Sequence, residues 1–104
     1  MRKSKFGGLF RRLRKEAGMG IKRLAPELGV TYSYLSKLEN GATLPSEKLV
    51  YKTAQYFSCD PNPLLLAAGK VPADILRILQ ENPEDAFEFL KHRFGGANGS
   101  KQRP

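Results

Sequence analysis

The sequence has a single cysteine, a single histidine and no tryptophan. Cys59 has no second thiol to meet, which excludes a disulfide framework within the chain. A structural zinc site needs four nitrogen or sulfur ligands, and Cys59 and His92 stand far apart in sequence. Cys59 reads as a small, semi-buried apolar residue and His92 as a solvated helix residue. No metal and no cofactor are expected. Long apolar runs are also missing: the longest, Leu64 to Ala68, is far short of the roughly 20 residues that cross a bilayer. The basic N-terminus is not followed by an apolar signal-type segment. The expectation is a cytoplasmic protein with no membrane partner.

Catalytic signatures are absent too. There is no glycine-rich phosphate loop, no nucleophile elbow and no His-Glu-x-x-His. Scattered carboxylates do not make a site, so the chain is read as a non-enzyme.

Acidic residues are scarce in one half only. Residues 1–52 carry 12 Lys and Arg against 4 Asp and Glu, whereas residues 53–104 carry 6 of each. All of the net charge of +8 therefore comes from the first half. Solubility alone does not require such asymmetry. A polyanion-binding face does, because each neutralised phosphate releases a counterion. An anionic membrane would attract the same charge.

With 104 residues the chain suits one small fold. No period-two alternation is long enough for a strand, and apolar residues recur at helical spacing throughout. Met1 to Lys5 reads as a basic, flexible arm. Leu9, Phe10, Leu13 and Ala17 form the inward stripe of a first helix that Gly18 stops. A second helix covers about Ile21 to Leu28, with Leu24, Ala25 and Leu28 inward and Gly29 at its end. Thr31 is an N-cap for a third, whose inward residues are Leu35 and Leu38. Ser46 caps a fourth, with Leu49, Val50, Thr53, Ala54 and Phe57 inward. Asp60-Pro61 starts a fifth that ends at Gly69. Val71-Pro72 opens a sixth helix bearing Ile75, Leu76, Ile78 and Leu79. Asn82-Pro83 opens a seventh bearing Phe87, Leu90 and Phe94 on one stripe, with Phe89 off it. The tail from Gly95 has a disordered composition.

Two short helices joined by Leu28-Gly29-Val30-Thr31 thus sit inside the basic half. That is the pattern of a helix-turn-helix, whose second helix enters the major groove. Any helical hairpin could produce it alone. Larger blocks are more specific: Leu13-Arg14-Lys15-Glu16-Ala17-Gly18, Leu24-Ala25-Pro26-Glu27-Leu28-Gly29-Val30, Tyr34-Leu35-Ser36-Lys37-Leu38-Glu39-Asn40-Gly41, Pro45-Ser46 and Leu64-Leu65-Leu66-Ala67-Ala68-Gly69. With these blocks at this spacing, residues 6–69 resemble the phage-repressor (XRE, Cro/repressor type) helix-turn-helix domain.

The fold read from the helical pattern is all-α: a five-helix domain, which the resemblance also implies, with an appended C-terminal helical pair, residues 70–94, about which the resemblance says little. For the domain itself the resemblance goes further. It implies base reading by Tyr32, Ser33, Ser36 and Lys37 on the exposed face of the third helix. Lys37 can donate to guanine O6 or N7, and the serines can donate or accept. One or two of the four are expected to touch only phosphate or solvent. Arg11, Lys22, Arg23, Thr31, Asn40 and Thr43 are phosphate candidates, with the amides near Gly41 to Thr43 beside them. Arg14 and Glu39 match a partly buried ion pair of the family, Arg14 through its planar fork. The sequence departs from the family at Gly20-Ile21, where a Thr-Gln type pair would cap the second helix and hold a phosphate. Lys22 or Arg23 takes over that contact in this reading. Pro26 implies that this helix either starts late or kinks.

The function implied is transcriptional repression, with autoregulation, by a homodimer on a short inverted repeat of double-stranded DNA. Ile75, Leu79, Phe87, Leu90 and Phe94 are the expected dimer interface. The alternative is an antitoxin or adaptor whose C-terminal helices dock a toxin or metallopeptidase. RNA is disfavoured because no aromatic stacking motif is present.

Overall fold

The computed structural model describes residues 5–95. Among them the structure is entirely helical: α1 (Lys5–Glu16), α2 (Ile21–Leu28), α3 (Tyr32–Glu39), α4 (Glu47–Tyr56), α5 (Pro61–Ala67), α6 (Ala73–Glu81) and α7 (Pro83–Leu90), closed by a π turn, Lys91–Gly95. The chain divides between Val71 and Pro72 into two compact units.

Unit one holds α1 to α5. The starts of α3, α4 and α5 are set by side chains placed to satisfy first-turn amides. Thr31 Oγ1 accepts from the Tyr34 amide at 3.0 Å, Ser46 Oγ from Leu49 at 3.1 Å, and Asp60 from Asn62 at 3.0 Å. Gly29 ends α2 with φ +73°, and the amides of Gly29 and Val30 turn back onto Pro26 and Ala25. A side chain there would meet that backbone strain and, at 3.2 Å, the Lys52 ammonium. The core joins all five helices: Phe6 and Phe10, Leu24 and Leu28, Leu35 and Leu38, Val50, then Leu64 and Leu65. Helix α1 packs on α3 and α5, α2 on α3 and α4, and α4 on α5.

The inward stripe of α1 differs from the expected one. Phe6, Phe10 and Arg14, four residues apart, are buried, while Leu9 and Leu13 flank the core and Ala17 is exposed past the helix end. Lys5, expected in a flexible arm, belongs to α1. Helical structure reaches back because Phe6 has a core to enter. Residues 1–4 of the expected arm lie outside the described residues. Gly7 is buried where α1 meets the end of α3. A Cβ there would stand 2.5 Å from the Leu38 carbonyl oxygen and 2.8 Å from that of Glu39. Only hydrogen at this position permits the close approach.

Helix α2 runs through Pro26 instead of starting late. The proline removes the donor for the Lys22 carbonyl. Both residues are exposed, so water can serve that carbonyl. Burial of Leu24, Ala25 and Leu28 holds the segment helical.

Unit two holds α6, α7 and the π turn. The two helices pack on each other and neither contains a buried residue. Asn82 does not cap α7 with its side chain; its amide donates back to the Ile78 carbonyl at 3.0 Å. The seventh helix stops at Leu90, and Phe94 sits in the π turn with the Arg93 guanidinium 5.0 Å from its ring centre. Phe89, expected off the apolar stripe, lines an open groove of about 360 Å³ with Ile75, Ile78, Leu79, Ala86 and Leu90. Phe87 is not among its walls. Gly95, the start of the expected tail, closes the π turn, and residues 96–104 lie outside the described residues.

Candidate nucleic-acid interface

Helix α3 is divided lengthwise. Leu35 and Leu38 point into the core with no exposed surface. Residues one, two, five and six of the helix share its other side, as helical periodicity requires. There Tyr32, Ser33 and Lys37 are exposed and Ser36 is half-buried. The structure thus brings all four candidate base readers to one outward face. Thr31 starts that face: its oxygen accepts from Tyr34, which leaves its O–H free to donate outward.

The candidate phosphate contacts lie around it. Arg11, Lys22, Arg23, Thr31 and Asn40 are exposed and Thr43 is half-buried. Lys22 and Arg23 occupy the first turn of α2, whose Gly20 cap offers no side-chain hydrogen bond. The free amides of a helix start favour an anion, and the two cations stand beside them. The loop after α3 contributes less backbone than expected. The amides of Gly41 and Ala42 are spent on the Leu38 and Lys37 carbonyls, at 3.1 and 2.9 Å. They close the C-terminus of α3 and are not available to a phosphate.

Arg14 and Glu39 are brought together below this surface. The Arg14 Nε and Nη2 donate to the two Glu39 carboxylate oxygens, the second bond at 2.9 Å. Its Nη1 donates to the Met19 carbonyl at 2.8 Å. The hydrogen bond to Glu39 raises the Arg14 pKa above its ordinary value; burial opposes this and the Glu39 charge adds to it. The network ties the end of α3, the last turn of α1 and the turn before α2 together. Arg11 Nε stands 4.0 Å from the same carboxylate while its side chain is half in solvent.

Two positions that shape the interface carry no local sequence signal. Lys52 reaches across 24 residues to donate to the Leu28 carbonyl at 3.4 Å, bracing the turn. Gly7 sets how closely α1 approaches the end of α3. Each depends on a partner distant in sequence.

The comparisons with known proteins agree with this fold. A family model described as helix-turn-helix matches residues 10–64. The ImmF control region 10 kDa protein of Bacillus phage phi105 is 38% identical over 67 residues, which cover 64% of this chain and 74% of the relative. Two crystal structures of the clp gene regulator ClgR from Corynebacterium glutamicum are similar in fold. One is 26% identical with a TM-score of 0.55, over 64% of this chain and 86% of ClgR. The other is 24% identical with a TM-score of 0.56, over 88% and 92%. The class defined by fold and site is that of the DNA-binding transcription regulators. The chain belongs to the helix-turn-helix family, of the XRE, phage-repressor type.

Proposed function

We propose that this protein is a sequence-specific repressor of transcription that binds a short inverted repeat in double-stranded DNA as a homodimer and controls its own synthesis in a bacterial or phage-infected cytoplasm. The observation that carries the reading is the outward face of α3, with Tyr32, Ser33, Ser36 and Lys37 together and cations on the neighbouring α2. Lys37 reads a guanine edge, and Tyr32 offers its ring to a thymine methyl or its hydroxyl to a phosphate. Arg11, Lys22, Arg23, Thr31, Asn40 and Thr43 hold the backbone and fix the docking register. Two-fold operators need two reading helices about 34 Å apart, which favours a dimer. No described helix is long and apolar enough to cross a membrane.

The exposed apolar residues of α6 and α7 favour a second reading, in which they dock a toxin or metallopeptidase. Selection of bound sites from random duplex DNA tests the main reading. It should return an inverted repeat that recurs upstream of the protein's own gene. The complex on that site should lose affinity steeply with salt yet stay preferred over random duplex at two salt concentrations. Equal binding to every duplex would sink the repressor reading.

A further inference from the structure

Unit two leaves large apolar side chains uncovered: Phe94 is 68% exposed, Phe89 63%, Phe87 57% and Leu90 41%. Phe87 and Leu90 are three residues apart, so they share a face of α7. Phe87 takes no part in the groove shared with α6, and Leu90, at the edge of that groove, still leaves much of its surface open, so this face is not covered by α6. The charges of the same segment are ordered along it. Glu84 and Asp85 occupy the first turn of α7, and Lys91 and Arg93 occupy the closing π turn.

We propose that α7 packs antiparallel against α7 of a second copy of this chain, with Phe87 of each copy against Leu90 of the other. The inference rests on the homodimer reading above and specifies its interface. A two-fold axis between residues 88 and 89 places Phe87 opposite Leu90. It also sets Glu84 of one copy, which shares the Phe87 side of α7, over the Lys91–Arg93 turn of the other, twice over, while Asp85, on the groove side, adds to the acidic end. An isologous interface must carry both halves of its own complement, and this segment does: an aromatic opposite an aliphatic, and acid opposite base. Parallel pairing would stack acid on acid and base on base, which is strongly unfavourable. The same charge order also suits the dipole of a single helix. That effect acts within one chain and cannot be restored by a second chain, which separates the two explanations.

The experiment uses the full-length chain and sedimentation at low salt. One variant carries Glu84→Arg with Asp85→Arg, and the other Lys91→Glu with Arg93→Glu. Each alone should self-associate at least about tenfold more weakly than wild type, because like charges now meet across the axis. An equimolar mixture should recover wild-type association as mixed dimers, and a chain carrying all four changes should dimerise like wild type. Unchanged association of the single-sided variants, or a mixture and a fourfold variant that both stay monomeric, would overturn the antiparallel pairing. A wild-type chain that is monomeric at tens of micromolar would overturn the homodimer reading as well. A wild-type dimer indifferent to these charges leaves that reading standing and removes only the α7 interface.

Discussion

Arg14 and Glu39 lie 25 residues apart and meet through two side-by-side hydrogen bonds inside unit one, with the third Arg14 donor on the Met19 carbonyl. Both residues are buried, so removing Glu39 leaves the Arg14 guanidinium without its counter-charge and with only the Met19 carbonyl as acceptor. Glu39→Ala should destabilise the fold by about 3 kcal/mol in urea melts. Arg14→Met combined with Glu39→Leu should recover part of the loss, since a neutral pair has no charge to desolvate. An unchanged midpoint for Glu39→Ala would show that the pair contributes nothing. The raised Arg14 pKa adds stability at and below the ordinary guanidinium value, and that stability fades only as pH rises past it. Melts between about pH 6 and pH 9 should therefore show no trend from Arg14.

Gly7 and Gly8 are adjacent helical glycines with opposite expectations. At Gly7 an added methyl meets the carbonyl oxygens of Leu38 and Glu39, whereas at Gly8 it meets nothing within 4 Å. Gly7→Ala should lower stability by about 2 kcal/mol by prising α1 from α3. Gly8→Ala should raise it by roughly 0.5–1 kcal/mol through chain entropy. Thermal melts of the two variants decide it, and equal shifts would mean α1 does not approach α3 this closely.

Thr31 has two tasks at the start of α3. Its oxygen caps the Tyr34 amide, and its O–H faces outward. Thr31→Ala should cost about 1 kcal/mol of stability and weaken every duplex as well. Thr31→Ser keeps the hydroxyl and should nearly preserve both. If the alanine variant melted like wild type, the cap would have no energetic weight.

Most helix boundaries were legible because each is written in local chemistry: Thr31, Ser46 and Asp60 cap, and Gly29 and Gly69 stop. The core stripes of α2 to α4 followed from periodicity for the same reason. What was not legible depends on contacts distant in sequence. Phe6 stood next to a run of basic residues, and nothing nearby shows that it is fully buried while Ala17 is exposed. Nothing near Gly7 in the sequence shows that the α3 carbonyls stand beside it. In unit two the α-helical period fails after Leu90, where the backbone widens into a π turn. Phe89 faces the groove because α6 offers it an apolar wall, which a single-helix pattern cannot show. The Arg14–Glu39 pair came from family resemblance; neither residue has a local signal for the other.

Lys37 is the most discriminating test of base reading. It is exposed on the same face as Tyr32 and Ser33, and its ammonium can donate to a guanine edge. Lys37→Ala should weaken the best operator by roughly 1–3 kcal/mol and relax preference at one base position. Arg11→Ala and Lys22→Ala should weaken all duplexes about equally and reduce the salt slope. Competition binding with specific and random duplexes separates these outcomes. An equal loss on both for Lys37→Ala would make it a phosphate contact.

The division of the chain near Val71 predicts how a truncation behaves. Among the described residues, every buried hydrophobic residue of the core lies between Phe6 and Ala68, and α6 and α7 add none. Deleting residues 71–104 should therefore leave a folded helical protein whose melting still depends on Arg14 and Glu39. Under the homodimer reading, the truncated protein has lost the link between two half-sites. Each half-site must then be bound separately, without the effective concentration that the first contact gives the second. Operator affinity should fall about a hundredfold or more, while binding to a single half-site changes little. Sedimentation and operator titration of the two proteins decide the matter. A truncated protein that is still dimeric, or that keeps full operator affinity, would place the dimer contact in unit one and leave the apolar face of α7 for another partner.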